Sequence, residues 1–333
     1  MYTLTNAETY SLPSSDWITS LLRTSATTLT SISTDGALSL HNPAALPQGP
    51  LKSFKTTHDT ISALQPWDDN VVATSGWNGT VTLWDFRQQS GKALDFKACD
   101  APVLSMATHP GNQALSVGTE LTHHQASIHI FDIRAGQSTP KAAYHDLHSD
   151  DITTLTYHPT RPNILLSGST DGLVSVHDTN ITEEDEMTIQ TLNLNASIHT
   201  ATFVGDSSIV SALSHDEKFA LYDISDTREN GDALVDFGDL RQGLGCQYVC
   251  DVIPKRDGSG AIVGCGAQDN HEFGLVFLAK GQQESAWTLD KSAGVGLPGG
   301  HGEEIVRDFC FFDEEQVVFT GGEDGKIKAW RPS

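Results

Sequence analysis

The chain has 333 residues, 38% of them hydrophobic, with 29 Gly and 13 Pro, which allows one large or two average domains and favours many turns between short strands over long helices. Its formal charge is −23, from 20 Lys and Arg against 43 Asp and Glu, a balance that repels phosphate backbones and anionic lipid and so argues against direct nucleic-acid or membrane binding. Five cysteines, Cys99, Cys246, Cys250, Cys265 and Cys310, contain no CxxC and read as reduced thiols, so the expected setting is cytoplasm or nucleus.

The start, MYTLTNAETYSLPSSD, has neither the basic residues nor the apolar run of a signal peptide, and no 18-residue apolar stretch follows. A strand is expected over 17–23, and after it one unit recurs: a small-residue strand, a polar turn, then alternating residues that close on an aromatic-Asp pair. The copies lie at 27–42, 71–85, 114–132, 164–178, 209–223, 261–280 and 317–331. Aligning them puts the aromatic slot at His41, Trp84, Phe131, His177, Tyr222, Ala279 and Trp330, with spacings of 43, 47, 46, 45, 57 and 51 residues. Gly36, Gly79, Gly172, Gly274 and Gly325 occupy the turn exit, where a tight hairpin needs a positive φ, and Ala126 and Glu217 stand there in the other two. The glycine-rich stretch 291–302 reads as a flexible connection before the last copy.

These copies resemble WD repeats, a period of roughly 40 to 45 residues per four-stranded blade. The resemblance implies an all-β fold, a seven-bladed propeller formed by residues 1–333 as a single domain. The family's structural tetrad joins a loop His, a Ser or Thr, a turn Asp and a Trp. His301, Thr320, Asp324 and Trp330 match it fully; His58, Thr74, Asn78 and Trp84 match with one amide; His148, Ser167 and Asp171 match with His177 in place of Trp. The last copy ends directly after its third strand, so the family pattern implies that residues 8–12 supply the fourth strand and close the ring. More narrowly, 117–136, 148–180 and 299–330 resemble the WD repeat-containing protein 89 family, whose members continue into a basic tail.

Two candidate surfaces follow. On the top face, formed by the turns between second and third strands and the connections between blades, the candidate partner-binding residues are Trp77, Asn78, Asp150, Asp151, Asp216, Glu217, Asp269, Glu272, Glu303 and Glu323. An aromatic at a turn tip serves no core and suits an interface, and the carboxylates select a basic partner. On the opposite face, WDFR and FDIR place Asp85 with Arg87 and Asp132 with Arg134. These resemble the boxes by which propeller receptors dock on the adaptor of the cullin-4 ubiquitin ligase; the alternative is simple pairing with nearby carboxylates. The run Glu183–Glu186 reads as a solvated turn or a bottom-side acidic patch.

No metal site is expected, since His123 and His124 adjoin no ligand at suitable spacing, and no cofactor is implied. GGHGEE lacks the Lys-Ser or Lys-Thr ending of a phosphate cradle, and the recurring Ser, His and Asp are scaffold rather than a triad. The expectation is therefore a non-enzymatic scaffold or escort, monomeric alone or within a larger complex. Its basic protein partner would be a ribosomal or other nucleic-acid-binding protein during assembly, and the alternative is a ligase substrate receptor.

Overall fold

The computed structural model describes residues 2–135, 139–204, 208–225, 231–281 and 287–333. Within them short strands alternate with tight turns, because β-branched and small residues alternate with Gly, Asn and Asp. The strands form five separate four-stranded sheets and one eight-stranded sheet that is two blades joined at their outer edges, which makes seven blades. The innermost strand of each blade contacts that of the next, and Val306–Phe312 of blade seven contacts Ile18–Ser25 of blade one, so the ring is closed. Seven apolar clusters fill the seven gaps between neighbouring blades.

Close approach of the blades explains one repeated glycine position. A Cβ on Gly321 would lie 2.5 Å from Ile18, and on Gly118 it would lie 2.6 Å from Ile152, each on the inner strand of the next blade. A side chain there would push the sheets apart.

The closing strand is Tyr2–Ser11, longer than the 8–12 segment expected. Leu4 through Ser11 pair antiparallel with Pro332 through Lys326, while Leu12 lies beyond the strand and donates its N–H to Gly325 O at 2.8 Å. Tyr2 and Thr3 also pair in parallel with Val295 and Gly296, which is what fuses blades six and seven into one sheet. Sealing both outer edges removes two rows of open backbone groups.

Four other expectations change. The first strand of blade one is Ile18–Ser25, with Trp17 outside it. The stretch 291–302 is not a free connection: Trp287–Pro298 is the fourth strand of blade six, and the register jumps from Leu275↔Val295 to Phe277↔Asp290, so 291–294 bulge out. In the same blade Leu278, opposite Ala261 as Trp330 is opposite Val318, fills the aromatic slot in place of Ala279. There the left-handed turn residue is His271, φ 55°, rather than Gly274.

Candidate functional site

Three blades carry a buried hydrogen-bond chain. In blade seven Trp330 Nε1 donates to Thr320 Oγ1 at 2.9 Å, Thr320 lies 2.8 Å from His301 Nε2, and His301 Nδ1 lies 2.6 Å from Asp324. Trp330 can only donate, so the Thr320 proton goes to His301 Nε2 and the ring donates from Nδ1 to the carboxylate. In blade two Trp84 and His58 meet on Thr74, each at 2.8 Å, but His58 reaches Asn78 through Thr80, at 2.8 Å and then 2.6 Å. In blade four Ser167 joins His148 at 2.7 Å to His177 at 2.8 Å, with Asp171 3.0 Å from His148. Burial lowers the pKa of His58 and His301, and brings His177 to about 3, so these rings are neutral scaffold.

Blades three, five and six have Val117, Ala212 and Val263 where blade seven has Thr320, and their slots hold Phe131, Tyr222 and Leu278. Tyr222 sends its hydroxyl to Asn193 O of blade four at 3.0 Å. Blade one is intermediate: His41 bonds Ser31 at 3.0 Å, and burial holds the ring at about 4.

The top face is where exposed aromatic surface and carboxylates meet. Trp77 is 54% exposed on the blade-two hairpin, its backbone fixed by a 3.0 Å bond to Thr60 O. Trp17, outside the sequence-derived set, is 41% exposed. The Arg307 guanidinium lies 5.4 Å from the Trp17 ring centroid and its Nε donates to Glu323 at 2.7 Å. Such stacking fixes the ring and the cation together. Glu323 is thus engaged, as is Glu217, 3.5 Å from Arg241. Asn78 serves its own blade, donating to Thr57 O at 2.9 Å. Asp151 accepts from Leu121 N at 2.7 Å and ties blade four to blade three.

Asp150, Asp216, Asp269, Glu272, Glu303 and Glu304 have no ion-pair partner among the described residues. They lie on blades four to seven, and the two exposed indoles lie on blades one and two. Asp269 and Glu303 belong to one locality, because Gln247 donates to Asp269 at 2.6 Å and Gln268 donates to Glu303 O at 2.9 Å. Between blades five, six and seven a cavity of about 210 Å³ is lined by His199, His215, Tyr248 and Arg307; burial brings His199 to about 4.

On the bottom face Arg87 and Arg134 are each gripped by the Asp two residues earlier, at 2.8 Å from Nε to Asp85 and to Asp132. The guanidinium beside it holds each carboxyl at about 2. Asp239 and Arg241 make the same clamp on the top face, at 3.0 Å, so the geometry is a local property of Asp-x-Arg. In the Glu183–Glu186 run Glu183, Asp185 and Glu186 are exposed, as a solvated turn requires, but Glu184–Met187 form one helical turn and Glu184 accepts from Asp146 N at 2.6 Å.

Sequence reasoning missed a pair of carboxylates on the inner strands. Asp251 and Asp308 occupy the same place on the inner strands of blades six and seven, where the other blades carry Ser20, Ala63, Ser105, Thr154 and Thr200. Both line a cavity of about 820 Å³ with Arg23, Lys255 and Arg256. Asp308 accepts from Ser20 Oγ at 2.8 Å and Leu21 N at 2.7 Å, latching blade seven to blade one. Burial, and then the Asp251 carboxylate, push Asp308 up to about 7. The paired Asp at matching places in CDV (250–252) and RDF (307–309) was the available signal.

Among the described residues no helix is long and apolar enough to cross a membrane, and no group of three or more His, Cys, Asp or Glu is disposed to hold a metal ion.

Comparison with known proteins agrees with this frame. The WD40 family (WD domain, G-beta repeat) matches at 48–85, 142–178 and 295–331, each segment ending in one of the three hydrogen-bonded blades. A WD repeat-containing protein of Schizosaccharomyces pombe is 33% identical over 296 residues, 84% of this chain and 86% of that one. A WD repeat-containing protein of Saccharomyces cerevisiae is 34% identical over 253 residues, 75% of this chain and 61% of that one. The WD repeat-containing protein 89 homolog of Dictyostelium discoideum is 25% identical over 272 residues, 78% and 68% of the two chains. A shorter stretch is similar to the ribosome biogenesis protein YTM1 of Scheffersomyces stipitis, 28% over 116 residues, 33% of this chain and 24% of that one.

Proposed function

The chain belongs to the WD-repeat family, and from that premise we propose that it is a protein-interaction scaffold whose top face receives a basic segment of a protein partner. The observation that carries this reading is the exposed Trp77 indole on a face whose far side holds Asp150, Asp216, Asp269, Glu272, Glu303 and Glu304, without ion-pair partners among the described residues. A rigid indole supplies contact area at little entropic cost, and free carboxylates attract lysine and arginine and raise the rate of encounter. The net charge of −23 acts in the same direction at long range. The similarity of part of the chain to a ribosome biogenesis protein favours a ribosomal or other ribonucleoprotein component as the source of that segment.

The test is affinity capture with the wild-type chain, Trp77→Ala and Glu303→Gln/Glu304→Gln, read by mass spectrometry at low and raised salt. Basic proteins should be recovered by the wild type, reduced by both variants, and released as salt rises. Recovery of neutral or acidic partners that withstand salt and both variants overturns the reading. The ligase-receptor alternative has no comparable support, since the Asp239–Arg241 pair shows the Asp-x-Arg clamp forming where no such docking is at issue.

A further inference from the structure

The connection between blades five and six brings two thiols to one small cavity. Leu240–Leu244 form a single helical turn, capped by Asp239, whose carboxylate accepts from Arg241 N at 2.9 Å, and ended by Gly245 in the left-handed conformation, φ 64°. That reversal turns the chain into the inner strand of blade six, and Gln247 N donates to Gly266 O at 2.8 Å. Cys246 on the connection is thereby fixed beside Cys265 on the second strand. Both line a cavity of about 190 Å³ with Leu244, Gly266 and Lys291. Cys246 is half-buried and so within reach of solutes, whereas Cys265 is buried.

Cys246 packs against the apolar cluster that contains Cys265, and its thiol donates to Leu240 O at 3.9 Å. The neighbouring Cys265 thiol lowers the pKa of Cys246, and the Cys246 thiol, with burial, raises that of Cys265. The Lys291 ammonium, which donates to Leu244 O, lines the same cavity and favours negative charge at Cys265, while the Glu217 and Asp239 carboxylates oppose it at Cys246. One accessible thiol with a stabilised thiolate beside a second, resolving thiol is the arrangement that peroxide-reactive sites use.

We propose that Cys246 and Cys265 are a peroxide-responsive modification site that closes to a disulfide, tying the blade five to six connection to the second strand of blade six. The Cys246 thiolate attacks one oxygen of hydrogen peroxide; the O–O bond breaks, and hydroxide leaves and takes a proton to become water. Cys246 is then a sulfenic acid. The Cys265 sulfur attacks the Cys246 sulfur, the S–O bond breaks, and the departing hydroxide takes the Cys265 proton. Two thiols and one peroxide give one disulfide and two waters. The inference does not depend on which partner the top face binds.

The experiment treats the full chain with hydrogen peroxide, blocks remaining thiols with N-ethylmaleimide, and maps peptides without reductant. The expected product is one cross-linked peptide pair through Cys246 and Cys265, an intact mass lower by two hydrogens, and reversal by dithiothreitol. Cys99 is the internal control: half-buried, but held up to about 11 by burial, it should stay alkylatable. Cys265→Ser should stop the reaction at Cys246 sulfenic acid, trapped by dimedone, with Cys265→Ala as the second choice should the serine variant melt early. Oxidation of Cys99 ahead of Cys246, or a cross-link that excludes Cys265, overturns the proposal; the wild-type map alone decides this if neither variant folds.

Discussion

Blades six and seven share one eight-stranded sheet, yet their interiors are built on opposite principles. Blade seven holds Trp330, Thr320, His301 and Asp324 in a chain of buried hydrogen bonds, while blade six puts Leu278 and Val263 at the places of Trp330 and Thr320. Both make the same four-stranded blade with the same bulge in the inner strand, at Val249/Asp251 and at Val306/Asp308. The polar chain is therefore one solution to filling a blade rather than a requirement of the fold. What it adds is specification: each polar group has one partner set, so a shifted register would leave buried donors unpaired.

The hardest test of this contrast is truncation of the slot residue in each blade. Trp330→Ala should cost roughly 4 kcal/mol, and more than Leu278→Ala, because it leaves a cavity and strips Thr320 of the donor facing it. Urea denaturation of both variants measures it, and equal losses would erase the distinction. A finer test exchanges the neighbouring residue. Thr320→Val keeps the volume but strands His301 Nε2 and Trp330 Nε1, at a cost of about 2 kcal/mol. Val263→Thr in blade six buries a hydroxyl among apolar neighbours and should also destabilise, by about 1 to 2 kcal/mol. If Thr320→Val is neutral, the chain contributes nothing beyond packing.

The same contrast governs what could be read from sequence. Blades two, four and seven announce themselves because a hydrogen-bond chain restricts residue type at fixed spacing, which is why Thr74, Ser167 and Thr320 could be placed. An apolar interior accepts any side chain of suitable volume, so nothing in 261–280 distinguished Leu278 from Ala279. The strand Trp287–Pro298 was hidden by its bulge, which breaks the two-residue period and brings Gly and Ser into a strand. On the top face the turn residues were legible one by one, but their pairing was not. Arg307 meets Trp17 across the seam between the two ends of the chain, and Arg241 meets Glu217 after two intervening strands, Lys218–Asp223 and Val235–Asp239. The first contact exists only once the ring closes, and the second only once the outer strands of blade five have paired.

Within the hydrogen-bonded class, every blade holds a buried histidine whose pKa is lowered, and a histidine in the aromatic slot adds a further acid-sensitive group where tryptophan does not. Burial holds His41 at about 4 and His177 at about 3, against an ordinary 6.5. The unfolded chain takes up these protons first, so stability is full above pH 6.5 and falls as pH drops toward the folded values, by about 1.4 kcal/mol per unit for each ring. Asp308 has the opposite sign: its folded value of about 7 lies above the ordinary 3.8, so its contribution is full below 3.8 and is lost as pH rises through 7. His41→Gln/His177→Gln should flatten the acid limb of a stability-versus-pH curve, and Asp308→Asn should gain relative to wild type at alkaline pH. An acid limb unchanged in the double variant would mean that these rings titrate normally.

The smallest effect on stability is expected where the function is proposed. Trp77 stands outside all seven apolar clusters and is 54% exposed, so Trp77→Ala should change the urea midpoint by no more than about 0.5 kcal/mol. Trp84, seven residues along the same hairpin, is 1% exposed and anchors its blade. The pair separates the two uses of tryptophan in one repeat: replacing Trp84 should unfold the blade, and replacing Trp77 should leave the melt intact while weakening capture of the basic partner by at least tenfold, about 1.4 kcal/mol. A Trp77 variant that loses stability would show the indole to be packing against its neighbours, and a stable variant with undiminished capture would move the docking surface elsewhere on the ring.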